Sequence, residues 1–252
     1  MTAKPKLLKN ISMRAIAPSV VTLMAFCLGI TSIRFALAGQ WEMAIAAIFL
    51  AGIFDGLDGT VARLLKSTSR FGAELDSLSD IVSFGVSPAV VLYLWTLQSL
   101  DKLGWAIALV YAAGMALRLA RFNAHIDEDD EPKKKMGFLT GVPAPMGAGL
   151  LAMPMLVDFI LMTDFAQSSP YIVAVYVVFV TLLMVSSLPT PSLKGLKIAK
   201  DAFIPTMLFI VVLIGTLFVY PWPALFAIGV IYYAFLPVCI VKYRKIVKAR
   251  NS

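Results

Sequence analysis

Apolar residues along this chain come in long blocks broken by short polar segments, without the two-residue alternation of a half-buried strand. Eight blocks stand out, at 18–38, 43–65, 73–97, 104–123, 143–163, 171–188, 203–220 and 223–241. About 20 residues of α-helix cross the hydrocarbon of a bilayer, and each block approaches or exceeds that length. The pattern predicts an all-α, polytopic membrane protein of about eight transmembrane helices. Pro143, Pro145 and Pro154 interrupt the fifth block. Only YPWP separates the last two, a tight turn that puts Tyr220 and Trp222 at an interface.

Composition agrees with this reading. Hydrophobic residues make up 60% of the 252 and charged residues 15%, against about 25% charged in a soluble domain. That leaves too little polar surface to cover the chain in water. A transmembrane β-barrel needs alternating segments of about ten residues, which the blocks do not provide. Ahead of the first block, KLLKNISMRAIAPS mixes Lys6, Lys9 and Arg14 with Leu7, Leu8, Ile11 and Ile16. This predicts a short amphipathic helix at the interface within residues 1–17. One membrane domain then covers 18–241, and a basic tail 242–252. The first block has the length of a full span, longer than the apolar core of a cleavable signal. Lack of a targeting segment suits a prokaryotic inner membrane.

The formal charge is +7, and its placement gives it meaning. With eight spans, both termini and the even-numbered connections share one side. All of the 22 lysines and arginines except Arg34 and Lys102 fall on that side. The positive-inside rule makes it cytoplasmic. Charges that flank spans point to anionic membrane lipid and away from nucleic acid. The longest polar segment, HIDEDDEPKKKMG, reads as a solvated loop. Cys27 and Cys239 lie in separate blocks, and His125 is the single histidine. A disulfide framework and a thiolate or imidazole metal centre are thereby excluded.

One stretch breaks the apolar pattern: DGLDGTVARLLKSTSRFGAELDSLSD, from Asp55 to Asp80. Asp55 and Asp58 are three residues apart and Asp76 and Asp80 four apart, so each pair shares a helix face. The turn between the second and third spans is short, which predicts antiparallel neighbours with four carboxylates converging below the cytoplasmic surface. Such a cluster takes up protons, pairs with bases such as Arg63, Arg118 and Arg121, or holds a divalent cation. Hard oxygen ligands favour Mg²⁺, Mn²⁺ or Ca²⁺, and carboxylate sites of this kind serve phosphate chemistry. A proton or cation path through a transporter remains the alternative at this point. Gly56 and Gly59 either let backbones approach or leave room for a ligand. Arg63, one turn after Gly59, is within reach of a phosphate on the same wall.

The stretch resembles the signature of the CDP-alcohol phosphatidyltransferases, D-x2-D-G-x2-A-R-x8-G-x3-D-x3-D. Asp55, Asp58, Gly59, Ala62, Arg63, Gly72, Asp76 and Asp80 match it without a departure. The resemblance implies a membrane enzyme, commonly a homodimer, that moves a phosphatidyl group from a CDP-linked donor to an alcohol and releases CMP. It also implies that Asp55, Asp58, Asp76 and Asp80 hold two ions, Mg²⁺ or Mn²⁺. Asp80 is then the general base, and Gly59 and Arg63 lie by the CDP moiety.

Three further segments resemble the branch of that family that uses serine: ALRLARFNAH, FLTGVPAP and LMVSSLPTPSLKG. That branch often carries a basic aromatic segment before its S-x-K, where LPTP stands here. The resemblance implies CDP-diacylglycerol and L-serine as substrates. Arg118 and Arg121 are candidates to clamp the serine carboxylate, Asn123 to meet its ammonium, and Lys194 to contact acceptor or phosphate. Glycerol 3-phosphate and inositol phosphate would also call for arginines, so the acceptor stays open on these residues alone.

Overall fold

A computed structural model describes residues 13–65, 67, 69–124, 138–191 and 202–250. Lys194 and most of the predicted interfacial segment lie outside the described residues. The elements in chain order are α1 (Met13–Leu37), α2 (Trp41–Leu64) and α3 (Arg70–Asp80). A π-helical turn (Ile81–Val86) carries α3 into α4 (Ser87–Trp95), and a 3-10 turn (Leu97–Leu100) leads into α5 (Asp101–Ala124). There follow β1 (Phe138–Thr140), α6 (Ala144–Leu151), α7 (Met153–Leu161), α8 (Pro170–Val185), β2 (Pro189–Pro191), α9 (Phe203–Val219) and α10 (Pro221–Arg250).

Each of the eight apolar blocks contains helix, but the blocks are not equivalent. Among the described residues, five helical stretches are long and apolar enough to cross a membrane: Ile16–Leu37, Trp41–Leu64, Arg70–Trp95, Leu97–Ala124 and Pro221–Tyr243. A sixth is counted if α6 and α7, bent by 44°, form one span. The bend falls where Pro154 opens α7, since a proline ring removes an N–H and blocks the preceding turn. The remaining two helices, α8 and Ile204–Val219 within α9, are shorter. The chain is thus an all-α polytopic membrane protein with five or six long apolar helices. α10 also continues to Arg250, beyond the block end at 241.

Helix pairing follows side-chain size. α1 lies along α2 and also contacts α3 and α4, while α5 packs on α8. Ala25, Ala44, Ala47 and Ala51 are buried, as expected where helices in lipid associate through close backbone approach. A Cβ on Gly29 would sit 2.7 Å from the Ser83 Cα. Hydroxyls bridge the same contact: Ser79 donates to the Thr22 carbonyl and Ser83 to the Ala25 carbonyl, both at 3.1 Å. Phe84, Trp95, Tyr111, Met115 and Met184 fill the centre. Ile172, Val175, Leu182 and Phe218 face outward, which a lipid surface accommodates and water does not.

The end of the bundle where α4 and α7 finish is fixed by polar contacts. Buried Asp158 accepts backbone hydrogen bonds from Ala166 (3.0 Å) and Gln167 (2.9 Å). Thr96 in turn donates to the Gln167 carbonyl at 2.7 Å. The turn from α4 into α5 needs glycine at 104, because a Cβ there would collide with the Leu97 carbonyl. Gly104→Ala is expected to destabilise the fold by about 1–3 kcal/mol, the usual cost of overpacking. A lowered melting temperature of the detergent-solubilised protein would register it, and an unchanged one would contradict the close approach.

Candidate active site

The acidic stretch occupies the second half of α2, the turn after it, and all of α3. Ser69 caps α3 by accepting the Gly72 N–H at 3.0 Å, one of the donors that a helix start leaves unpaired. Starting α3 at Arg70 places Asp76 and Asp80 one turn apart near its end. The chain then widens into the π-helical turn, a distortion often found beside functional sites. Tyr111 of α5 anchors that turn by donating to the Phe84 carbonyl at 3.0 Å. Because α1 packs against both α2 and α3, it sets the spacing between them.

Asp55, Asp76 and Asp80 each bring a carboxylate oxygen to within 4.8 Å of the others, and all three are half-buried. They form a candidate metal-binding cluster. Asp55 lies against Asp80, and Asp58 against Asp76, so each pair joins α2 to α3. Asp58 is the deepest of the four at 6% exposed. Thr22 of α1 donates to its Oδ2 at 2.5 Å. Like charges this close repel strongly at low dielectric. The Asp76 Oδ1 is shielded from solvent and accepts no hydrogen bond, which is costly for a carboxylate. An all-oxygen donor set with an unsatisfied buried oxygen fits a hard divalent cation.

The wall beside this cluster is open. A Cβ on Gly56 or on Gly59 would meet no atom within 4 Å. Both glycines therefore leave space on α2 and do not serve tight helix packing. Gly52, one turn earlier, is different: a Cβ there would touch Pro145 at 3.7 Å and Phe84 at 3.8 Å. Arg63 is exposed and folds back along α2, its Nε donating to the Gly59 carbonyl at 3.0 Å.

The residues near the end of α5 divide into two kinds. Arg118 lies within electrostatic reach of Asp55 and Asp80, and its Nε is shielded without a hydrogen-bond partner. Arg121 is engaged elsewhere. Its guanidinium donates to the Val185 carbonyl at 2.9 Å and the Ser186 carbonyl at 3.1 Å. Asn123 donates to the Ser77 hydroxyl at 2.9 Å, tying α5 to the residue next to Asp76. The two candidates for a carboxylate clamp, Arg118 and Arg121, are thus placed differently. One guanidinium faces the cluster, and the other holds the end of α8.

What Arg121 holds is a unit the apolar pattern gives no sign of. β1 and β2 pair antiparallel, with Phe138 opposite Pro191, Leu139 opposite Thr190 and Thr140 opposite Pro189. Gly141 follows with φ +74°, and a Cβ there would lie 2.8 Å from the Met184 carbonyl oxygen and 2.9 Å from that of Ser186. Only glycine meets both demands. Thr190 is fully buried and donates to the Gly141 carbonyl at 2.7 Å. FLTGVPAP and SSLPTP therefore form one ribbon, clasped by Arg121. Two strands of three residues, one bearing two prolines, carry no strand periodicity. Thr22 is equally inconspicuous, one of four hydroxyl residues in an apolar block.

Comparison with known proteins gives a consistent result. The family model described as CDP-alcohol phosphatidyltransferase matches residues 15–181. The chain is 36% identical over 251 residues to the CDP-diacylglycerol–serine O-phosphatidyltransferase of Mycobacterium leprae, covering 97% of this chain and 80% of that protein. It is 32% identical over 232 residues to the protein of the same description from Helicobacter pylori, covering 89% and 93%. With the Bacillus subtilis protein of that description it shares 30% identity over 177 residues, covering 70% and 90%. The matched region contains the open glycine wall and the four aspartates, and the chain belongs to the CDP-alcohol phosphatidyltransferase family.

Proposed function

We propose that this protein transfers a phosphatidyl group from CDP-diacylglycerol to the hydroxyl of L-serine, giving phosphatidylserine and CMP. The observation that carries the reading is the carboxylate cluster together with the open glycine wall of α2 and the Arg118 guanidinium of α5. Such a set has room for a diphosphate and a cation for an anionic acceptor. Similarity to serine O-phosphatidyltransferases along nearly the full chain supports the choice of acceptor.

In this reading Asp55, Asp58, Asp76 and Asp80 hold two ions, Mg²⁺ or Mn²⁺. When bound, these offset the negative charge that develops on the leaving CMP. Gly59 leaves room for the CDP moiety, and Arg63 stands over it with donors for a phosphate. Arg118 receives the serine carboxylate. Asp80, which like Asp55 lies within reach of Arg118, takes the proton from the serine hydroxyl as its oxygen attacks the phosphatidyl phosphorus. The bond from that phosphorus to the CMP oxygen breaks, and CMP leaves with the electron pair. Arg121 and Asn123 act at one remove, fixing the ribbon and α3. Lys194 is assigned to the acceptor or phosphate side. The donor's acyl chains remain in lipid, and the site opens to the cytoplasm of an inner membrane. Eight membrane segments, termini on the cytoplasmic side and a homodimer complete the proposal, with anionic lipids around the basic flanks.

The test is CMP release by purified protein with CDP-diacylglycerol and Mg²⁺ or Mn²⁺. Serine, glycerol 3-phosphate, inositol phosphate and choline are offered separately. Release that depends on serine supports the reading. Release with another alcohol retains the reaction and removes serine. No release from folded protein with any of the four removes the proposal.

A further inference from the structure

α10 carries adjacent tyrosines whose surroundings differ. The Tyr233 hydroxyl pairs with that of Tyr176 at 3.0 Å, and Tyr176 also reaches the Leu150 carbonyl at 2.7 Å. This contact ties α10 to α8 and α6. Tyr232 points to the other side. It is 9% exposed, and its hydroxyl is shielded from solvent. The hydroxyl lies close to the Thr190 side chain of the ribbon but without the geometry of a hydrogen bond. Thr190 itself donates to the Gly141 carbonyl. The Arg118 guanidinium is in electrostatic reach of Tyr232.

A buried phenol usually finds a partner, and one without a partner is destabilising. Tyr111, the other tyrosine near Arg118, shows the ordinary arrangement, since it donates to the Phe84 carbonyl. Tyr232 and the Arg118 Nε are both shielded from solvent, both lack a hydrogen bond and lie within electrostatic reach of each other. α10 packs closely there: a Cβ on Gly229, one turn earlier, would lie 2.9 Å from the Met153 sulfur. These two donors lie on separate helices, and the guanidinium is also in reach of Asp55 and Asp80, so the pair suits an anionic group that accepts from both.

We propose that Tyr232 is a specificity-determining residue whose hydroxyl, together with the Arg118 guanidinium, binds the anionic group of the acceptor alcohol. For serine that group is the carboxylate, so the assignment rests on the function proposed above. It adds α10, which lies outside the residues 15–181 matched by the family model, to the acceptor side of the site.

The experiment measures KM for the acceptor and for CDP-diacylglycerol separately, in the wild type, Tyr232→Phe and Tyr111→Phe. Losing a hydrogen bond to a charged group costs about tenfold in affinity. Tyr232→Phe is therefore expected to raise the acceptor KM about tenfold, with kcat and the donor KM nearly unchanged. Tyr111→Phe should lower the melting temperature without a selective change in acceptor KM. Serinol, which is serine with its carboxylate replaced by a hydroxymethyl group, gives a second readout: with it, wild type and Tyr232→Phe should have similar KM values. An unchanged acceptor KM in Tyr232→Phe, or equal shifts in both KM values, would overturn the assignment. Should the wild type prefer another alcohol, the serine reading falls, and Tyr232 is judged by the KM for that alcohol.

Discussion

Asp80→Asn is expected to reduce CMP release by about 10²–10⁴-fold, the range in which a positioned general base contributes. The substitution nearly preserves shape and removes both the charge and the ability to accept a proton from a hydroxyl. Asp80 lies against Asp55 and within reach of Arg118, so two opposing electrostatic effects follow. Repulsion among the carboxylates falls, and the attraction to the guanidinium is lost. With three other carboxylates at the site, relief of repulsion should dominate. The melting temperature in the absence of divalent ions should hold or rise. An inactive variant that also unfolds would point to a structural role. A variant that keeps activity within tenfold of the wild type would remove Asp80 as the base.

Withdrawing divalent ions is expected to have an effect of similar size. Chelation should take CMP release to background, and added Mg²⁺ or Mn²⁺ should restore it. A binding readout independent of turnover is available. A ligand that binds only the folded state at 100 times its Kd stabilises it by about 2.7 kcal/mol, so the melting temperature should rise on titration with either ion. Asp76→Asn should abolish that rise, because the Asp76 Oδ1 is the buried oxygen without a partner. Thr22→Val tests the support of the cluster. Thr22 orients Asp58 through a hydrogen bond from α1, and removing such an outer partner typically lowers metal affinity 10–100-fold. The melting curve of Thr22→Val should therefore need a correspondingly higher ion concentration. A rise that survives in Asp76→Asn would place the ions elsewhere.

These expectations lean unequally on sequence and on structure. The membrane character of the chain, the location of each helical block and the four aspartates are all legible in the residue order. Spanning a bilayer needs long apolar runs and nothing subtler, and four carboxylates inside such runs stand out at once. The spacings of three and four also decide, without coordinates, that each pair shares a helix face. The bend at Pro154 is signalled by the proline itself. Which blocks are long enough to cross is less legible, because a 16-residue helix such as α8 and a 24-residue one such as α2 give similar apolar signals.

Tertiary structure alone decided how the polar groups are shared out. Arg118 and Arg121 lie one turn apart and are chemically identical, yet Arg118 faces the aspartates and Arg121 binds two backbone carbonyls at the end of α8. The difference comes from where α8 ends and where the ribbon folds, which are contacts 64 and 65 residues away in the chain. The ribbon is invisible to periodicity because three residues are too few to show a period. Thr22 and Tyr232 are ordinary residues of apolar helices until α1 meets Asp58 and α10 meets Thr190. Local pattern determines which segments enter the membrane. Pairing across long loops determines which buried donors are used internally and which remain for a ligand.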